Sequence, residues 1–189
     1  METKSELRKK ILSLRNNMSL EDVEHKSSLI IDKLTTLKKY NDSNTVFVYM
    51  NFKNEVITIN LIKRMLSENK RVVIPYTDTK NTVIIPSGLR SLDDDLVLSS
   101  FGYYEPVLQR LKPVETKEID LIITPGVAFD RNLNRVGFGK GYYDRILCNK
   151  REDAAIVALA YELQVLDEVP SEEHDVKMDM IITEDRIYE

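Results

Sequence analysis

Glycine is scarce in this chain. Its 189 residues include six, where average usage of about 7% would give about thirteen. Three of the six, Gly137, Gly139 and Gly141, fall within five consecutive positions, and Gly126 lies just upstream, so backbone freedom is concentrated in one segment. Cysteine is rarer still. Cys148 stands alone, which excludes an internal disulfide and any multi-cysteine metal site; its apolar neighbours on a predicted helix suggest a packed thiol. No apolar run approaches the roughly 20 residues that cross a bilayer, and METKSELRKK lacks the apolar core of a signal peptide. A cytoplasmic protein with no membrane partner is expected. Positive charge is not in surplus either: 27 Lys+Arg against 31 Asp+Glu leave a net charge of −4, which argues against a general nucleic-acid partner. The chain also lacks a Ser/His/Asp or Cys/His set suited to covalent catalysis.

What is present describes an ordinary globular protein. Hydrophobic content of 42% and charged content of 31% exclude disordered and fibrous classes, and the length suits one domain spanning residues 1–189. Leu7, Ile11, Leu14 and Met18 recur at helical spacing within a helix over 5–17; a second helix opens at Ser19 and runs through Leu20, Val23, Ile30, Leu34 and Leu37. From Thr45 the pattern alternates. Strands are predicted at 45–50, 71–75, 82–86, 119–124, 154–160 and 179–183, with helices at 59–69 and 142–149. VFVYM and IVALA are apolar throughout, as in strands covered on both faces, so the reading is α/β: a mostly parallel sheet flanked by helices. Residues 87–117 contain no clear element, and Asp93, Asp94 and Asp95 read as a solvated acidic turn.

Ligands of open parallel sheets gather at the carboxyl ends of the strands, and DLIITPGVAFDRNLNRVGFGKGYYDRIL (120–147) has that layout: strand, Pro-Gly break, polar loop, glycine cluster, helix start. Two common phosphate motifs fail here. The glycines come about a dozen residues too late for a dinucleotide fingerprint, and a P-loop needs glycine at Asn134 and Ser or Thr at Gly141. The ingredients of an anion site remain: alternating glycines that expose backbone N–H groups, with Arg135 and Lys140 beside them. A plain glycine-rich turn with a solvated lysine is the other reading. Tyr142, Tyr143 and Asp144 add stacking rings and a possible magnesium carboxylate, although Asp144 equally suits a helix cap. Lys4, Arg8 and Arg15 share one helix face, which on its own reads as a solvated helix edge. Glu55, in the polar turn NFKNE, is a surface glutamate or a ligand contact.

Together P-G-V-A-F-D, R-V-G-F-G-K-G-Y-Y-D-R and H-D-V-K-M-D, with an opening K-x-x-L-R helix and an acidic residue after the first strand, resemble the 5-formyltetrahydrofolate cyclo-ligase family. The resemblance implies a three-layer α/β/α fold with Rossmann-like, sugar-isomerase/CoA-transferase type topology. It implies ATP-driven closure of 5-formyltetrahydrofolate to 5,10-methenyltetrahydrofolate with Mg2+ as cofactor, by a protein expected to be monomeric. By resemblance, Lys4, Ser5, Glu6, Leu7 and Arg8 contribute to the ATP site, with the loop Arg135, Val136, Gly137, Phe138, Gly139, Lys140, Gly141, Tyr142 and Tyr143. Arg8, Met50, Glu55 and residues Phe138, Gly139, Lys140, Gly141 and Tyr142 face the folate. Asp144 and Asp179 take magnesium, Asp175 orients neighbours, and Lys140 and Arg135 act on the transferring phosphoryl group. His174 reads as a loop residue and His25 has no evident partner. Phe138 and Tyr76 depart from the residues members commonly carry there. An ATP-independent sugar-phosphate isomerase or acyl-transferase on the same framework, and a non-catalytic nucleotide sensor, are the alternatives.

Overall fold

The computed structural model describes residues 2–93, 96–99, 102–172 and 175–189; the expectations for Asp94, Asp95 and His174 lie outside these. In chain order the elements are α1 (Lys4–Asn16), α2 (Leu20–Thr36), α3 (Lys38–Asp42), β1 (Thr45–Val48), α4 (Ile59–Ser67), β2 (Arg71–Asp78), β3 (Val83–Leu89), β4 (Leu96–Leu98), β5 (Tyr104–Pro106), β6 (Leu121–Thr124), β7 (Ala128–Asp130), β8 (Arg135–Val136), α5 (Tyr142–Cys148), β9 (Ala155–Leu159), β10 (Val165–Leu166), β11 (Met180–Ile182) and β12 (Ile187–Tyr188).

The helix starts are set by their caps. Thr3 and Glu6 form a reciprocal capping box on α1, and the Ser19 hydroxyl accepts from the Asp22 N–H at 3.0 Å on α2. Each strand run of alternating faces then finds two covers. Val46 and Val48, Leu121 and Ile123, Val157 and Leu159 pack with Ile30 and Leu34 of α2 and Leu61, Ile62 and Met65 of α4. Phe47, Ile122, Ile156 and Ile181 face the other way, onto Ile146 and Leu147 of α5 and Phe129. Full burial of each such side chain is worth about 1.5–3 kcal/mol, so this double cover is what makes the uninterrupted apolar strands stable.

The large sheet runs β12-β11-β9-β6-β1-β2-β3. Its five central strands are mutually parallel, and antiparallel β12 and β3 close the edges. The chain leaves β1 toward β2 on one side and returns to β6 on the other. That change of direction opens a crevice beyond the carboxyl ends of β1 and β6, the usual ligand position in such sheets. A second sheet, β10-β7-β8, carries the glycine loop. Leu7 and Ile11 of α1 pack on its Val127, Ala128 and Val136. The α/β reading therefore holds, with one face helical and the other covered by the short α5 and this small sheet. Cys148 is a correction: it is exposed, because α5 spends its apolar side on Ile146 and Leu147. No helix among the described residues is long and apolar enough to cross a membrane.

Candidate active site

A cleft of about 300 Å3 lies at the predicted position. Tyr49, Met50, Phe52 and Glu55 from the turn after β1, Pro75 and Thr77 of β2, Tyr103, Pro125 after β6, and the loop from Gly137 through Asp144 form its walls, with Arg135 at the back. One half is apolar and aromatic; the other is cationic.

The loop is built by its glycines. A Cβ on Gly126 would stand 2.3 Å from Phe129 Cζ, whose ring is fully buried. Gly126→Ala therefore overpacks the floor and is expected to cost about 1–3 kcal/mol, read as a lower urea midpoint at unchanged slope. Gly139 has φ +94°, and its open side lies against the Arg8 guanidinium, with a Cβ placed only 3.2 Å from Arg8 Cζ. Arg8 in turn donates from Nε to Gly137 O at 2.7 Å. The arginine of α1 thus clamps the loop from beneath.

Arg135 is buried, with 4% of its side chain exposed. It donates to Pro125 O at 3.2 Å, forms an ion pair with Asp144, and lies 5.9 Å from the centre of the Tyr143 ring. Burial lowers its pKa from the ordinary value, opposed by the carboxylates of Asp144 and Asp175. Its Nε has no hydrogen-bond partner among the described residues, which is a costly state for a buried donor. Lys140 is exposed at the cleft rim. Tyr143 packs edge-on against Phe47 at 6.2 Å, and burial raises its hydroxyl pKa far above normal.

Glu55 is not a surface glutamate. It is 5% exposed, one oxygen accepts from Phe52 N–H at 2.9 Å, and burial pushes its pKa up to about 7 against the partial opposition of Arg15. Met50 and Tyr142 stand on the cleft wall as expected, and Phe138 is at its lip, 46% exposed.

Of the K-x-x-L-R helix, Arg8 reaches the glycine loop and Lys4 reaches Glu172 and Asp175, while the residues between reach neither. Ser5 is exposed, Glu6 turns to its own N-cap, and Leu7 enters the core. Val136 is likewise buried in the small sheet, its carbonyl accepting from Val127 N–H at 2.8 Å. Asp179 is a correction. Its carboxylate accepts from Ile156 N–H at 2.7 Å at the amino end of β11 and lines a separate polar depression with Asp120 and Arg151. Asp144 is at the carboxyl-end crevice, so the parallel strands hold the two apart. The motif's other aspartate, Asp175, is the one on the site side: it accepts from Lys4 Nζ at 2.8 Å and acts electrostatically on Arg135. Asp144 does not cap α5, whose N-cap is Gly141. Tyr76 lies outside the cleft because Pro75 and Thr77, its neighbours on the alternating strand, face it. His25 and Asp93 are exposed.

Sequence reasoning missed Tyr49, Phe52, Thr77 and Tyr103. Tyr103 donates to Thr77 Oγ1 at 3.2 Å and packs edge-on against Phe52, so residues 87–117 supply part of the cleft wall. The Tyr103-Tyr104 pair in an Asp/Ser-rich stretch carries no period that would mark it.

With this geometry, residues 1–184 match the model of the 5-formyltetrahydrofolate cyclo-ligase family. The 5-formyltetrahydrofolate cyclo-ligase of Haemophilus influenzae is 30% identical over 179 residues, 93% of this chain and 94% of its own length. Two solved structures share the fold. A 5,10-methenyltetrahydrofolate synthetase of Aquifex aeolicus superposes with TM-score 0.85 at 35% identity, covering 97% of this chain and 91% of that one. One of Mycoplasma pneumoniae gives TM-score 0.78 at 28% identity, covering 97% and 99%.

Proposed function

Because the chain belongs to the 5-formyltetrahydrofolate cyclo-ligase family of ligases, we propose that it closes 5-formyltetrahydrofolate to 5,10-methenyltetrahydrofolate while ATP becomes ADP and phosphate. The observation that carries this reading is the division of one cleft into an aromatic half with a single buried carboxylate and a cationic half built on the glycine loop. The first suits a flat, donor-rich pterin, with Glu55 accepting its N–H groups. The second suits phosphate oxygens, held by Arg135, Lys140 and the backbone N–H groups of residues 137–141.

The chemistry follows from the substrate. A formamide carbonyl is a weak electrophile and its oxygen a poor leaving group. Transfer of the γ-phosphoryl to that oxygen, then attack of N10 on the formyl carbon, forms the C–N bond and releases the oxygen as part of phosphate. No protein nucleophile is needed, so the residues act by positioning and charge neutralisation. Arg135 and Lys140 hold the phosphoryl oxygens as charge moves onto the formyl oxygen. Tyr49, Phe52 and Tyr103 exclude water from the pterin side. Asp144 and Asp175, the two carboxylates that act electrostatically on Arg135, would hold magnesium, an ion that commonly takes one or two carboxylates and keeps positions for phosphate and water; among the described residues no group of three metal-ligating side chains occurs. When bound, magnesium supplies charge neutralisation on the phosphate oxygens.

The test is a mixture of protein, magnesium, ATP and 5-formyltetrahydrofolate, followed by the near-ultraviolet absorbance of the methenyl product. Absorbance is expected to rise only with ATP present; a rise without ATP, or none from folded protein, contradicts the proposal. Lys140→Ala is expected to lower turnover by more than about tenfold with little loss of stability, because its exposed side chain is outside the core. Turnover within a factor of about two would remove Lys140 from the phosphoryl-holding set.

A further inference from the structure

Along α1, Leu7, Ile11 and Arg15 follow one another at four-residue steps and all three are buried. A guanidinium therefore occupies a slot that the packing of this helix reserves for an apolar side chain. Arg15 is 2% exposed, yet its bonds are poor: it donates to Gly126 O at 3.4 Å, approaches Glu55 Oε1 at 4.0 Å, and its Nε has no hydrogen-bond partner among the described residues. A buried charge satisfied this loosely is a weak contributor to stability, and an apolar side chain of similar size would serve packing as well or better. What Arg15 does reach is both sides of the cleft. Glu55 lies on one side of it, and the Phe138 ring is 5.7 Å from its Cζ on the other.

We propose that Arg15 is a positioning residue that holds the Glu55 carboxylate toward the cleft and braces Phe138 at the cleft lip, acting on the folate through both. This rests on the reading of Glu55 as a folate contact. Glu55 has one oxygen anchored by Phe52 N–H; Arg15 is the cation on its other oxygen. The remaining groups that face it are phenols: Tyr49 after β1, Tyr143 of α5 and Tyr161 after β9, whose hydroxyls are themselves held in the neutral form by burial. None of them can supply the positive charge that favours the ionised form of a buried carboxylate. Arg15 does so from behind, without occupying space the substrate needs.

The experiment combines side-chain 13C NMR of glutamate-labelled, ligand-free protein with steady-state kinetics. In Arg15→Met the Glu55 titration midpoint is expected to move upward by about one unit, the KM for 5-formyltetrahydrofolate to rise at least about tenfold, and the KM for ATP to stay within about twofold. Arg15→Lys, which keeps the charge but cannot lie flat beneath Phe138, is expected to retain the midpoint and raise the folate KM about threefold; it also carries the test if the methionine variant does not fold. In a Glu55→Gln background, Arg15→Met is expected to add only the small part due to Phe138. An unchanged midpoint in Arg15→Met, or equal losses in the KM for ATP and folate, overturns the positioning role alone. An unchanged folate KM in Glu55→Gln overturns the pocket reading and this proposal with it.

Discussion

Arg135→Met is expected to lower turnover by about a thousandfold while the protein remains folded. The magnitude follows from what arginines do on transferring phosphoryl groups, where a single guanidinium contributes about 10³-fold or more. The expectation for folding follows from the local geometry. Arg135 is almost fully buried, and its partner Asp144 keeps 47% of its side chain exposed, so removing the arginine leaves that carboxylate hydrated instead of stranded. Methionine fills the vacated space against Tyr143 with a flexible apolar chain. Circular dichroism and a urea midpoint close to that of the parent, together with collapsed turnover, is the expected pair of results. Loss of both together would mean that Arg135 is a structural tie between Pro125 and α5. Retention of both would take the cationic half of the cleft out of the chemistry.

The second large effect concerns Glu55, and here function and stability move in opposite directions. Substituting glutamine presents an amide N–H2 to a donor-rich ring, and kcat/KM for 5-formyltetrahydrofolate is expected to fall by about a hundredfold or more. Stability should rise at neutral pH. Burial pushes the carboxyl pKa from its ordinary 4.5 up to about 7 in the folded chain. A pKa raised by folding means the native state binds the proton more tightly, so the stabilisation is complete below pH 4.5 and is lost as pH climbs through about 7. The difference corresponds to about 3 kcal/mol. Urea denaturation of the ligand-free parent between pH 5 and pH 8, values spanning that window, is expected to show the falling slope, and Glu55→Gln to lack it. The same titration predicts a folate KM that improves as pH rises through about 7, when the carboxylate forms. A parent protein equally stable across this range would mean that the pocket solvates Glu55 far better than its burial implies.

Most of the scaffold was legible because its signals are local. The apolar runs at VFVYM, LIIT and IVALA are strands covered twice, and Ser19 announces its helix by cap chemistry. The short pieces were not. β7, β8 and β10 have two or three residues each and exist because α1 presses Leu7 and Ile11 onto them; nothing within those segments has a period long enough to read. The site divides the same way. The glycine loop was visible as composition, since Gly126 and Gly139 stand where a Cβ meets Phe129 or the Arg8 guanidinium. The H-D-V-K-M-D motif holds both Asp175 and Asp179 without distinguishing them, and only the fold shows that four residues separate the two ends of a sheet. Arg15 read as part of a solvated stripe because burial at a basic position depends on what packs over the helix, which is a tertiary fact. Tyr103 reaches the cleft through a hairpin whose strands carry no strong apolar alternation.

In the proposed reaction ATP and the folate meet in this cleft and the γ-phosphoryl passes to the formyl oxygen. Substrate carrying ¹⁸O in the formyl group tests it in one turnover experiment. Mass spectrometry of the released phosphate is expected to find one labelled oxygen per methenyl product formed. Label recovered in water with unlabelled phosphate would contradict the account, because the oxygen would then have left without being phosphorylated.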